Sequence, residues 1–285
     1  MEQRVIDILD QSNLNWTVSQ DPIYTNIGGE NIEIIGKKSI NRSDTKTSLD
    51  VMSSSYVPFQ NHELIELLDK VSTQTGLELQ RGGSFKDGRR VYVQLKSGDM
   101  ALNGDKIEGF LTGINSFDGS TSLAFGPSNI TISCMNTFFS AFKSLETKIR
   151  HTKNMVIKID DICREMDKLL IEEKNIFSDI KMLSETRFGA STVDDVIRKL
   201  FNVDKAMDVM DEKISTRTRN NINQFYVDLN GELQQKGDNL WGLFSGVTKY
   251  TTHSMSKKDS TEHKMFNETY SQREKEIFSN LVELA

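Results

Sequence analysis

The segment LELQRGGSFKDGRRVYVQLKS, residues 77–97, sets the architecture of the first half of the chain. Two stretches with apolar residues at alternate positions flank Lys86-Asp87-Gly88, a sequence that favours a tight turn. The pattern predicts an antiparallel β-hairpin. The same two-residue period recurs downstream and predicts further strands, in residues 106–116, 121–129 and 130–137.

Upstream of this hairpin the sequence predicts a mixture of helix and strand. The elements are a short amphipathic helix at 3–11, strands within 31–44 and 47–56, and a helix within 57–76. The helix is expected to have Asn61 as its N-cap and to end at Gly76. Pro22 is expected to keep the segment NWTVSQDPIYT out of regular structure.

From Asn136 onward the apolar spacing changes to three and four residues, which predicts helices. Asn136-Thr137 is expected to cap the first of them. The predicted helices are 138–150, 154–184, 192–202 and 263–285, and the polar segments 215–224 and 253–264 are expected to be loops. The predicted fold class is therefore α+β. An N-terminal antiparallel β-rich half with one or two helices, residues 1–140, precedes a mainly helical half, residues 141–285.

The charge of the chain argues against a simple electrostatic nucleic-acid binder, because 285 residues carry a net charge of −6. Two segments nevertheless have a local charge of +4, residues 81–96 and 143–158. Cys134 and Cys163 make neither a disulfide framework nor, with four scattered histidines, a zinc cluster. We expect a cytoplasmic protein with no membrane contact, since no apolar run is long enough to span a bilayer.

The hairpin is the first candidate binding site, because its basic residues alternate with aromatic ones. Cations can bind phosphates and rings can stack on bases of a single strand. The candidate residues of this hairpin are Arg81, Lys86, Arg89, Arg90 and Tyr92, next to Phe85. A second candidate is the exposed side of the predicted helix after Asn136, with Lys143, Lys148, Arg150 and Lys153. The alternative interpretation of both is an ordinary solvated surface.

Catalytic motifs are not recognised in this sequence, and we predict no catalytic residue, cofactor or metal. Asp118 in NSFDGS could act as a base or a metal ligand, but Asp-Gly more often forms a turn. Near the other end of the chain, LWGLFSGVTKYTTH (residues 240–253) is too short for a membrane anchor. We expect Trp241 in this segment to be buried in the core.

Several segments together resemble a family known as domain of unknown function nine-three-two, or phage/plasmid-like protein. They are RGGSFKDGRRVYVQL (81–95), INSFDGSTSLAF (114–125), ISCMNTF (132–138), IRHTKN (149–154) and LWGLFSGVTKYTTH (240–253). The resemblance spans Trp16 to His263. Phe117 stands where the family pattern has histidine, and Ser245-Gly246 where it has Asn-Ala. The resemblance implies a mobile-element protein in which the Trp241 segment belongs to the common fold.

These observations leave three functional hypotheses. The first is a single-stranded DNA-binding or annealing protein of phage or plasmid recombination and replication. Such a protein would act as a homo-oligomer in the cytoplasm of the bacterial host. The second is a non-enzymatic interaction factor, for host takeover or against host defence, and the third is a metal-dependent nucleic-acid enzyme that uses Asp118.

Overall fold

Two β-sheets and a series of helices form the part of the chain that the computed structural model describes, residues 3–102, 105–131, 136–138, 159–203, 214–255 and 268–285. The first half contains α1 (Gln3–Gln11), β1 (Val18–Ile27), β2 (Glu30–Arg42), β3 (Ser48–Ser53), α2 (Asn61–Thr75), β4 (Glu78–Phe85), β5 (Arg90–Leu102), β6 (Asp105–Ser116), β7 (Ala124–Thr131) and β8 (Asn136–Phe138). The second half contains α3 (Ile159–Glu185), α4 (Ala190–Phe201), α5 (Thr216–Lys236), α6 (Leu240–Lys249) and α7 (Glu268–Leu284). The predicted α+β class is confirmed.

The strands form a three-stranded sheet of order β1-β2-β3 and a five-stranded sheet of order β4-β5-β6-β7-β8. Antiparallel pairing joins β1 to β2, β2 to β3, β4 to β5 and β7 to β8. A short 3-10 turn, Lys86–Gly88, connects β4 to β5. The hairpin predicted from residues 77–97 is therefore present, with its turn at the predicted residues.

The chain divides into two compact units, each with its own core. The described part of the first unit is residues 3–97, 110–126 and 159–169. Here α1 and α2 contact each other and β4, and they bury Leu9, Leu64 and Leu68. The predicted boundary at residue 140 falls outside the described residues and stays a prediction.

The core of the second unit is built around α6. Trp241 and Phe244 of this helix pack with Phe225 of α5 and Ile277 of α7 in one buried cluster. The exposed fraction of Trp241 is 3%, which confirms the predicted burial. A π-helical turn, Tyr250–Ser254, continues α6.

Two predictions for the first half are wrong. Pro22 does not interrupt regular structure: it lies within β1, opposite Lys38, beside an irregularity in the strand register. Because β1 is an edge strand of its sheet, a residue without an N–H is tolerated there. Asn61 is not the N-cap of α2, since Gln60 occupies that position and its N–H donates to the Glu63 carboxylate at 2.6 Å. The buried Asn61 amide donates instead to backbone oxygens of Leu14 and Trp16.

Two predictions for the chain from Asn136 onward are also wrong. Asn136 and Thr137 do not begin a helix, because they pair with Thr131 and Ile130 as strand β8. The polar segment 215–224 is not a loop but contains the start of α5. The Ser215 hydroxyl accepts a hydrogen bond from the Thr218 N–H at 3.1 Å, as helix N-caps do. Residues 256–264 of the other predicted loop lie outside the described part of the chain.

Candidate nucleic-acid interface

The register of the β4–β5 hairpin decides which side chains share a face. Residues opposite each other in an antiparallel pair point to the same side, and successive pairs alternate. One face carries Arg81 opposite Gln94, Gly83 opposite Tyr92, and Phe85 opposite Arg90. The other carries Leu79 opposite Leu95, Gly82 opposite Val93, and Ser84 opposite Val91. The face with Arg81, Phe85, Arg90 and Tyr92 is called the arginine face below.

Arg81 is fixed within the first unit by two contacts. Its Nε donates to the Gln94 Oε1 at 2.8 Å, and its guanidinium lies 4.5 Å from the centre of the Phe110 ring. Phe110 is buried, so the guanidinium covers apolar surface. Nη2 of Arg81 is buried and has no hydrogen-bond partner among the described residues. Arg81 therefore helps to hold the hairpin, and its charge is only partly accessible.

Arg90 is held by the turn that follows β6. Its Nε lies 3.4 Å from the Asp118 Oδ2 and donates to the Ser120 Oγ at 2.8 Å. Burial acts to raise the pKa of Asp118, but hydrogen bonds from Ser120, the charge of Arg90 and a hydrogen bond from Ser116 outweigh it. The pKa of Asp118 thus lies below its ordinary value. The carboxylate stays charged at neutral pH and offsets part of the charge of Arg90.

The two rings of the arginine face stack on each other. The centres of Phe85 and Tyr92 are 5.4 Å apart and the ring planes are 26° from parallel. Both residues are half-buried. Tyr92 also lies over Gly83, where a β-carbon would stand 2.8 Å from the tyrosine hydroxyl oxygen. Glycine at this position leaves room for the ring, as cross-strand aromatic–glycine pairs do elsewhere.

The tip of the hairpin presents exposed cations. Lys86, Asp87 and Gly88 all have positive φ, with values of 49°, 59° and 101°. The turn places Lys86 and Arg89 at the surface. The Arg89 side chain makes no hydrogen bond or ion pair within the described part of the chain. Of the predicted hairpin cations, these two are the most accessible for a phosphate group.

Arg42 is a further cation at this tip that the sequence analysis missed. Its Nη1 donates to the Asp87 backbone oxygen at 2.9 Å, and its guanidinium lies 4.3 Å from the centre of the Trp16 ring. The Asp44 carboxylate accepts two hydrogen bonds from Arg42, at 2.7 and 2.8 Å. In the sequence, Arg42 is only a basic residue near the end of a predicted strand. Because it is distant from the hairpin in sequence, no local pattern indicates that it lies at the hairpin tip.

The other predicted cations, Lys143, Lys148, Arg150 and Lys153, lie outside the described residues. The structure therefore brings together Arg81, Lys86, Arg89, Arg90 and Tyr92 on one hairpin. Whether the second group joins them stays a prediction.

A sequence model of one family, described as Domain of unknown function (DUF932), matches residues 48–276, most of the chain. The chain belongs to this family. The DUF932 region includes the whole β4–β5 hairpin, the Asp118 turn and helix α6. No curated protein and no solved structure matches the chain.

Within the DUF932 region, Asp118 has the contacts of a turn former. Its Oδ1 accepts from the Ser120 N–H at 2.9 Å, the hydrogen bond typical of an Asx-turn. Phe117, beside it, is fully buried and its ring centre lies 5.6 Å from that of Trp16. No group of three potential metal ligands occurs among the residues that the structure describes.

The segment LWGLFSGVTKYTTH in the DUF932 region is helix α6 and its π-helical extension. Asn239 caps it by accepting from the Gly242 N–H at 2.8 Å. Gly246 permits a close approach to α5, since a β-carbon there would stand 2.9 Å from the Leu229 Cα. Of the helices described, none combines the length and apolar character needed to cross a membrane.

Proposed function

We propose that this DUF932 protein binds single-stranded nucleic acid through the arginine face and the tip of the β4–β5 hairpin. It acts in the DNA metabolism of phages or plasmids, as a homo-oligomeric binding or annealing protein in the cytoplasm of the bacterial host. The observation that supports this most directly is the shared face of Arg81, Phe85, Arg90 and Tyr92, with Lys86 and Arg89 at its end.

The chemistry of this surface fits a single strand better than a duplex. Rings can stack on bases only where those bases are unpaired, and cations beside the rings follow the phosphates. Tyr92 and Phe85 are held by their mutual contact, which limits the rotamer entropy lost on binding. Arg90 is partly neutralised by Asp118, so Lys86 and Arg89 supply most of the accessible charge.

The test is the salt dependence of binding to a fluorescent single-stranded oligonucleotide. Each phosphate contact adds roughly 0.7 to the slope of log affinity against log salt. The double variant Lys86→Ala/Arg89→Ala should therefore reduce this slope by about 1.4 and weaken binding with little sequence preference. Lys70→Ala removes an exposed lysine of α2 and is the matched control, with no expected change.

A double-stranded oligonucleotide of the same sequence should bind more weakly than the single strand. If the double variant binds the single strand as the wild type does at every salt concentration, the hairpin is not the site. Variants of Lys143 and Lys148 would then test the second predicted cluster.

A second candidate function is protein interaction without nucleic acid. The outer part of the three-stranded sheet favours it, because Ile27, Ile32 and Ile35 are 61%, 45% and 83% exposed there. Exposed apolar surface of this kind is typical of interaction sites. Normal binding of partners by a chain that fails to bind any oligonucleotide would support this function over the first.

A further inference from the structure

The turn of the β4–β5 hairpin has an unfavourable backbone conformation. Lys86 and Asp87 have φ values of 49° and 59°, in the left-handed region that residues with a β-carbon rarely occupy. Consecutive residues of this kind persist only where surrounding contacts hold them in place. The conformation of this turn therefore requires contacts from elsewhere in the fold.

Arg42 at the end of β2 makes such a contact. Its Nη1 donates to the Asp87 backbone oxygen at 2.9 Å. Its Nε and Nη2 donate to the Asp44 carboxylate at 2.7 and 2.8 Å, a two-bond geometry that fixes the plane of the guanidinium. Three of the five N–H groups of the guanidinium are thus engaged, and the side chain is only 15% exposed. The group is oriented toward the turn, and little of it is open to a phosphate.

Trp16 supports both the guanidinium and the turn. The Arg42 guanidinium lies 4.3 Å from the centre of the Trp16 ring, and Trp16 is buried. A β-carbon at Gly88 would lie 2.9 Å from the Trp16 Cζ2 and 3.0 Å from the Arg42 Nη1. The turn therefore packs directly against these two side chains, and only glycine leaves room for that approach.

Backbone hydrogen bonds connect this contact to the accessible cations. The Arg89 N–H donates to the Lys86 oxygen at 3.1 Å and closes the turn, and the Phe117 N–H donates to the Arg89 oxygen at 2.7 Å. Asp87 lies between Lys86 and Arg89 in the chain. Fixing its carbonyl group therefore fixes the backbone from which both basic side chains extend.

We infer that Arg42 is a positioning residue of the nucleic-acid site. It holds the hairpin turn in its left-handed conformation, and so places Lys86 and Arg89, without binding a phosphate itself. This inference rests on the proposed function and names the residue that supports its tip. A phosphate-binding role for Arg42 is the alternative, and the two roles give different experimental results.

Two variants separate holding the turn from supplying charge. Arg42→Lys keeps the charge, but an ammonium cannot bond the Asp44 carboxylate and the Asp87 oxygen with the same fixed geometry. Arg42→Ala/Asp44→Ala removes the whole pair and leaves the net charge unchanged. Glu33→Ala/Lys38→Ala removes another ion pair of β2, 3.4 Å apart, and is the matched control.

The first measurement is hydrogen–deuterium exchange of residues 85–90 in the full-length chain without nucleic acid. In both Arg42 variants these amides should exchange roughly two- to tenfold faster than in the wild type, the factor that loss of one hydrogen bond gives. In the control variant they should exchange at the wild-type rate. Thermal melts establish that every variant retains its fold. Wild-type exchange of the turn in both Arg42 variants would overturn the inference.

The second measurement is fluorescence anisotropy with a labelled single-stranded oligonucleotide. Both Arg42 variants should bind roughly two- to tenfold more weakly, because the loosened turn must be ordered again on binding. The slope of log affinity against log salt should stay unchanged, whereas loss of a phosphate contact would lower it by about 0.7 in the double variant. A lower slope in the double variant, or wild-type affinity in Arg42→Lys, would overturn the inference.

The two measurements distinguish failure of this inference from failure of the proposed function. If the wild-type chain binds no oligonucleotide, the proposed function is wrong. Faster exchange of the turn in both Arg42 variants would then still support Arg42 as the residue that positions the tip, and unchanged exchange would overturn that role. If Lys86→Ala/Arg89→Ala weakens binding and the Arg42 variants do not, the proposed function stands and the inference fails.

Discussion

Tyr92 occupies the space that a side chain at Gly83 would fill. A β-carbon at residue 83 would lie 2.8 Å from the tyrosine hydroxyl oxygen and 2.9 Å from its Cε1. The same ring stacks on Phe85. The glycine thus determines where the ring of the arginine face lies.

Replacing Tyr92 separates stacking from charge. If the ring stacks on a base, Tyr92→Ala should weaken single-strand binding by about 1 to 3 kcal/mol and leave the salt slope nearly unchanged. Gly83→Ala should weaken binding less, because it displaces the ring without removing it. Tyr24→Ala, which removes an exposed ring from β1, is the control. A reduced salt slope in Tyr92→Ala, measured by fluorescence anisotropy, would contradict a stacking role.

Asp118→Asn should reduce stability in a pH-dependent way. The pKa of Asp118 is lower in the folded chain, so its charge stabilises the fold fully above the ordinary carboxyl pKa of about 3.9. That contribution is lost as pH falls through the folded-state pKa. At pH 7 the variant should lose about 1.5 to 3 kcal/mol, the range for hydrogen bonds to a charged group.

Urea unfolding at pH 7, 5 and 3 measures this difference. Wild type and Asp118→Asn should differ equally at pH 7 and 5, and the difference should become smaller at pH 3, below the ordinary carboxyl pKa. Asp87→Asn, an exposed aspartate of the hairpin turn, should show a smaller difference. If the difference in unfolding free energy between wild type and Asp118→Asn instead increases as the pH is lowered, the pKa of Asp118 is raised in the folded state.

Trp241→Ala should strongly destabilise the second unit. Trp241 is buried beside Phe244 in the core cluster, and truncation of large buried aromatics typically costs about 3 to 5 kcal/mol. Val227→Ala is the control, because Val227 of α5 is 65% exposed. The measurement is the free energy of unfolding in urea. A stable Trp241→Ala variant with reduced binding would make Trp241 part of a surface site.

Gly246→Ala should destabilise the second unit, although alanine is a better helix former than glycine. A β-carbon there would stand 2.8 Å from the Leu229 Cδ1 and 2.9 Å from its Cα, so the backbones of α5 and α6 must separate. Overpacking of this kind costs about 1 to 3 kcal/mol. Gly231→Ala is the comparison, since the nearest atom there is the movable ammonium of Lys249 at 3.1 Å. Equal melting temperatures for the two variants would show that α6 has room to shift.

Local patterns in the sequence predicted much of the fold. They did not predict which contacts individual side chains make with distant parts of the chain. Alternation around Lys86-Asp87-Gly88 was enough for the hairpin, and the apolar spacing before Gly76 was enough for α2. Asn61 was predicted as a cap because its residue type suits one. Its amide instead bonds two carbonyl groups more than 40 residues away, which no local pattern contains.

The candidate site was predictable in its residues but not in their accessibility. The strand period places Arg81, Arg90 and Tyr92 on one face. In the folded chain Arg81 contacts Gln94 and Phe110, and Arg90 contacts Asp118. Asp118 lies in a turn 28 residues further along the chain than Arg90. Arg42 reaches the hairpin from 45 residues away, so its place at the tip follows only from the fold.

Strand β2 carries Glu30 and Ile32 at one end and Arg42 at the other, and Arg42 donates to the Asp87 carbonyl in the hairpin turn. Strand β2 therefore connects the exposed isoleucines of its outer part, such as the 83% exposed Ile35, to the tip that is proposed to bind nucleic acid. If a protein partner at those isoleucines and an oligonucleotide at the tip each shift this strand, their effects are reciprocal: the factor by which a bound oligonucleotide tightens binding of the partner equals the factor by which the partner tightens binding of the oligonucleotide.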